Sequence, residues 1–203
     1  GYFPALGFTQ LSTHPADLFF STPGVGPAIW LALKTGIIAS LLSLLCCFVI
    51  LTGLLHTRGF SILRRALAAL VAVPHSAIAI GLVFLLAPSG WLIRILSPAI
   101  TGFDRPPDWN FVPDPYGWGL ILGLMAKEIP FLLMVSLAAM ATLPARQFAH
   151  IGSSLGYGRL TSWVVLILPL IYRQIRLPMI AVLVFSLSVV DMALLLAPTL
   201  PPP

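Results

Sequence analysis

Lys127 and Glu128 stand side by side in an otherwise apolar stretch, Tyr116 to Leu143, and Asp191 lies near the far end of another. Ionisable groups in such surroundings are energetically expensive and mark solute or ion paths, proton relays or interhelical pairs. Adjacent residues on a helix point about 100° apart, so Lys127 and Glu128 are not expected to neutralise each other directly. At least one must face a bundle interior or an aqueous path. Two readings stay open at this point. One of the pair lines a translocation route or braces it against Asp191, or the charges form a structural interhelical ion pair.

Other chemistry is poorly served. Membrane-embedded catalysis wants a convergent set of groups at one depth, whereas His14, His56, His75 and His150 are scattered along the chain. His75, beside Pro74, reads as a helix-packing polar group, and Lys34 sits where it can snorkel to an interface. Cys46 and Cys47 are adjacent within an apolar run and read as small core residues, with no zinc-ligand spacing near them. Gly24-Val25-Gly26 has no strand before it and no GxxxxGK continuation, so it is not a phosphate loop. No catalytic residue, metal site or cofactor of the chain's own is expected.

A second spacing bears on mechanism. His150-Ile151-Gly152 is followed by three residues, Gly156, nine residues, and Leu166-Ile167-Leu168-Pro169. Phe148, Ile151, Leu155 and Leu160 are spaced so that most fall near one helical face. Gly156 and Gly158 divide the segment into two short helices, because glycine permits the corner geometry. Pro169 and Pro178 then begin or kink the helix that follows. The pattern predicts a helix-turn-helix on a membrane surface. By itself it leaves two roles open: an interfacial anchor, or a knob that docks into a soluble partner.

The elements that must carry these residues follow from composition. The 203 residues are 59% hydrophobic and 8% charged, with a mean hydropathy of +1.02. Soluble domains carry about a quarter charged residues, so lipid must be the main solvent. A membrane helix needs about 20 apolar residues, and four such spans are expected, at about 27–55, 66–87, 116–143 and 177–197. The expected organisation is an outer-face segment 1–26, a transmembrane domain 27–197 and an outer-face end 198–203. An outer loop covers 88–115, with a short interfacial helix over Trp91 to Leu96, and an inner loop covers 144–176. The chain begins without Met and stops at Pro201-Pro202-Pro203, so it is expected to be cut from a longer protein.

Of eleven basic residues, those at 58, 64, 65, 146, 159, 173 and 176 lie in two loops, 56–65 and 144–176. The opposite side holds Arg94 and Arg105 with Asp17, Asp104, Asp108 and Asp114. By the positive-inside rule the two basic loops face the cytoplasm. The net charge of +5 thereby reflects topology, and no nucleic-acid partner is expected.

The Gly156-to-Pro169 segment resembles the coupling loop of binding-protein-dependent ABC importer permeases. Their signature reads Glu-Ala-Ala, three residues, Gly, nine residues, Ile-x-Leu-Pro. Spacing, the Gly and the Leu-Pro agree here, while His150-Ile151-Gly152 replaces the Glu-Ala-Ala triplet. Val73-Pro74 with Ala79-Ile80-Gly81, and Ser186-Leu187-Ser188 with Asp191, look like stretches of permeases for iron, thiamine, sulfate and polyamines, including fused double-length ones. The resemblance covers roughly Ala28 to Ala197 and implies further helices beyond both ends. It implies an all-α polytopic bundle of the type I importer fold in a bacterial inner membrane. It also implies a separate ATPase, which binds the ATP and Mg, docked on His150, Ile151, Gly152, Ser153, Leu155, Gly156, Tyr157, Gly158, Leu168 and Pro169. A periplasmic solute-binding protein and a second permease half are the other implied partners. The rival is an ion-coupled secondary transporter using Lys127, Glu128 and Asp191 as a relay.

Overall fold

The computed structural model describes residues 13–54, 58–106, 108, 112 and 114–197. Residues 1–12, His56 and 198–203, which the sequence assigns to the outer face and to a basic loop, lie outside them. The described residues are helical, without a strand. In chain order the helices are α1 (His14–Ser21), α2 (Val25–Leu54), α3 (Arg58–Ala72), α4 (His75–Leu86), α5 (Trp91–Leu96), α6 (Trp118–Ala141), α7 (Ala145–Ser154) and α8 (Arg159–Ser162). A π-helical turn, Trp163–Ile167, leads into α9 (Leu168–Ser188), and α10 (Asp191–Leu196) follows.

Among the described residues, four stretches are long and apolar enough to cross a membrane: Val25–Gly53, His75–Leu96, Trp118–Ala141 and Leu160–Ser188. The first and third lie close to the expected positions. The second expected span, 66–87, is instead divided at Val73-Pro74 between α3 and α4, because Pro74 has no N–H to offer the Leu70 carbonyl. The fourth begins well before position 177, inside the expected 144–176 loop, and stops at Ser188. It stops there because Val189 is extended (φ −74°, ψ 121°). In the same last turn the Ser188 hydroxyl donates back to the Val184 carbonyl at 2.9 Å, a pattern that bends helices. Asp191 therefore opens a separate short helix, where a carboxylate suits the positive helix start.

Helix α6 is the hub, packed against α2, α3, α4, α9 and α10. One core joins Cys47, Leu51, Leu67, Leu132, Leu133, Trp163 and Ile171; the other joins Ala39, Ala79, Leu120, Leu124, Met192 and Leu196. Between lipid-surrounded helices, small residues matter because van der Waals packing drives association. A Cβ on Gly36 would come within 2.7 Å of Leu187 Cδ2, and one on Gly123 within 2.6 Å of Leu196 Cδ1 and Met192 Cε. Gly53 and Gly81, equally small on paper, face open space.

The start of α6 is fixed by a residue the sequence marks only as an outer-side charge. Asp114 is buried, and its carboxylate accepts from the Trp118 and Gly119 N–H groups, both at 2.9 Å. Two otherwise orphaned helix-start donors are satisfied in this way. Gly117 takes the left-handed conformation (φ 83°) at the corner and packs its Cα against Thr35.

Candidate functional site

Lys127 lies about 14 Å along α6 from Trp118, at 1.5 Å per residue, and is 9% exposed. Its ammonium donates to the carbonyls of Val71 at 2.6 Å, Val73 at 2.7 Å and Leu70 at 3.5 Å. These are the acceptors that the break at Pro74 leaves without helical donors. A cation at a helix C-terminus also meets the negative end of the helix dipole. Lys127 is thus bonded to backbone and makes no ion pair with Asp191, which is exposed at the start of α10.

Glu128 turns to a different set of neighbours and is 4% exposed. Its Oε1 accepts from Ser186 Oγ of α9 and, at 3.5 Å, from Ser40 Oγ of α2. One carboxyl oxygen thereby ties three helices together. Its Oε2 is buried, and beside the carboxylate lies the buried hydroxyl of Ser43. Further along the same face of α2, Cys47 Sγ lies 3.8 Å from Ser136 Oγ of α6. The Ser40–Ser43–Cys47 stripe escaped the sequence reading. Its spacing of three and four residues is the signal that could have found it.

Beside these residues lies a cavity of ≈ 360 Å³ whose walls include His75, Lys127, Glu128, Phe131, Val182 and Phe185. The His75 and Phe185 rings pack at 4.6 Å, tilted by 40°. The structure thus brings Lys127, Glu128 and His75 together at the α3–α4 break. Asp191 does not line this cavity.

The other predicted segment folds as a tight helix-turn-helix. Helix α7 ends in a Schellman motif: the Tyr157 N–H donates to the Gly152 carbonyl at 2.9 Å and the Gly156 N–H to the Ser153 carbonyl at 3.1 Å. Gly156 holds the left-handed conformation (φ 76°) that this cap requires. A Cβ on Gly152 would strike the Ser162 hydroxyl and lie 2.8 Å from Ser162 Cβ, so Gly152 sets how closely α7 lies on α8. His150, Ser153 and Gly158 are exposed, as are Ile151 (49%), Leu155 (60%), Tyr157 (41%) and Leu160 (59%). The turn therefore presents an apolar ridge outward, while Phe148 packs inward on the core. Leu168 and Pro169 sit apart from that ridge, in the first turn of α9.

No protein-family model matches the chain. Over 199 residues, 98% of the chain, it is 30% identical to the inner membrane ABC transporter permease protein YnjC of Escherichia coli (strain K12). The likeness is to an ABC permease. The chain spans 36% of that protein's length. Together with the four apolar helices, this describes a multi-pass helical membrane bundle that is similar to an ABC permease.

Proposed function

We propose that the chain forms part of the transmembrane pathway of an ATP-driven importer of the inner membrane. A binding protein delivers solute to the 88–115 side, and a separate ATPase docks on the α7–α8 turn. The observation that carries this reading is the exposed ridge of Ile151, Leu155 and Leu160 on a capped, rigid turn, in a chain similar to an ABC permease throughout its length. A knob that transmits force needs stiffness as well as an apolar contact face, and the Schellman cap supplies the stiffness. ATP-driven closure of the partner then moves α7 and α8, and the π-helical turn carries that movement into α9.

Purification of the full-length protein from its native host is expected to retain an ATPase subunit. Leu155→Asp, an exposed substitution that leaves the fold intact, is expected to release it. Retention of the ATPase by both Leu155→Asp and Ile151→Asp would overturn the docking role. Solute uptake that survives ATP depletion and collapses with the proton gradient would point to the ion-coupled transporter instead.

A further inference from the structure

A larger hollow lies toward the opposite end of the bundle, beside two arginines that the described residues leave unneutralised. It is a groove of ≈ 580 Å³ between α2, α6 and α9, and its walls include Leu45, Phe48, Pro169, Tyr172, Ile175 and Met179. Leu45 and Tyr172 are more than half exposed (57% and 52%), so the groove opens outward from the bundle. Tyr172 and Arg176 are one helical turn apart and share a face of α9, which places Arg176 at the rim, and Arg173 follows Tyr172 directly. Both arginines are exposed, and neither has an ion pair or side-chain hydrogen bond with another described residue. The chain offers them no acid. Its carboxylates are Asp17, Asp104, Asp108, Asp114, Glu128 and Asp191, and none lies between Glu128 and Asp191.

An apolar groove alone does not name its occupant; the arginines beside it do. Arg176 stands about 12 Å along α9 from Leu168, at 1.5 Å per residue. An arginine so placed leans back toward the start of its helix and carries its guanidinium to the headgroup layer. Positive-inside charge puts that layer on the cytoplasmic leaflet. The guanidinium fork matches phosphate oxygens, and basic pockets between membrane helices on that side take anionic headgroups.

We propose that the groove seats an anionic phospholipid of the inner leaflet, one acyl chain between α2 and α9 and its phosphate on Arg173 and Arg176. Tyr172, with an apolar ring and a polar tip, stands at the boundary between tail and headgroup. The proposal rests on the predicted orientation of α9 and on neither the solute nor ATPase docking.

The full-length protein is exchanged into mixed micelles containing dioleoylphosphatidylglycerol or dioleoylphosphatidylcholine, which share their tails and differ in charge. Lipid retained by the protein is then counted by native mass spectrometry. Phosphatidylglycerol is expected to be retained in preference. Arg173→Gln with Arg176→Gln is expected to weaken its retention by about tenfold or more. Arg64→Gln with Arg65→Gln removes as much charge from exposed positions on α3 and is expected to leave retention unchanged. Leu45→Trp fills the groove from α2 with both arginines in place, and is expected to abolish the preference. Equal losses in the two arginine pairs would reduce the effect to net charge and overturn the site, and so would undiminished retention in Leu45→Trp. No preference in the unsubstituted protein would show that a further helix or a partner subunit covers the groove, which also overturns the proposal.

Discussion

At the scale of single residues, the decisive groups are those whose partners are backbone. Lys127 carries a charge deep in an apolar helix, and its three carbonyl contacts make it a cap for the end of α3. Lys127→Met would leave those carbonyls without a donor, at about 1–3 kcal/mol for each group stranded in a dry environment. The expected outcome is a clearly lower thermal midpoint of the purified protein, measured by loss of monodisperse material on heating. Glu128→Gln, which keeps an acceptor for Ser186 and Ser40, is expected to lower it far less. Asp114 makes a similar case at the start of α6. Asp114→Ala removes two capping bonds and is expected to destabilise by about 0.5–2 kcal/mol, with Asp114→Asn intermediate in the same assay. The sequence marked Lys127 and Glu128 as residues that must face an interior. It could not name their partners, because the acceptors are carbonyls 54–57 positions away and serines on two other helices.

At the scale of elements, glycine decides how the α7–α8 turn is built, and the two glycines act differently. Gly156 is needed for its backbone conformation, since a Cβ there meets nothing within 4 Å. Gly156→Ala should therefore cost about 1–2 kcal/mol of left-handed strain in the turn. Gly152 is needed for space. Gly152→Ala forces α7 away from Ser162, an overpacking effect of about 1–3 kcal/mol. The second change Ser162→Gly is expected to restore the contact. ATPase co-purification across the two single variants and the pair checks this. Failure of the pair to recover while both singles lose the ATPase would show that Ser162 has a role of its own. The helix-turn-helix was legible because Gly156 and Gly158 interrupt an amphipathic pattern. The Gly152–Ser162 contact was not, since it depends on how sharply the turn folds back. The same limit moved the fourth span: the apolar run suggested a helix from 177, but α9 already begins at Leu168, with Pro169 in the first turn where its missing N–H costs nothing.

At the scale of the whole molecule, charge asymmetry predicts that the α7–α8 turn faces the cytoplasm and the segment between α5 and α6 faces outward. In a background lacking Cys46 and Cys47, Ser153→Cys is expected to react with a membrane-impermeant thiol reagent only from the inner side, and Asp104→Cys only from the outer side. The reverse pattern would invert the topology and remove the docking face from any cytoplasmic ATPase. Composition alone determined that this chain is a helical membrane protein, because 8% charge cannot solvate a surface. Hydropathy and proline, glycine and arginine positions determined the number of spans, their expected orientation and the corner at Gly156, since these are local properties of the chain. Only the tertiary structure decided that Lys127 caps a broken helix, that Glu128 joins α2, α6 and α9, and that a cavity opens between them. Those features depend on which helix faces meet in space, and an apolar helix in lipid carries too weak an amphipathic pattern to announce its inward face.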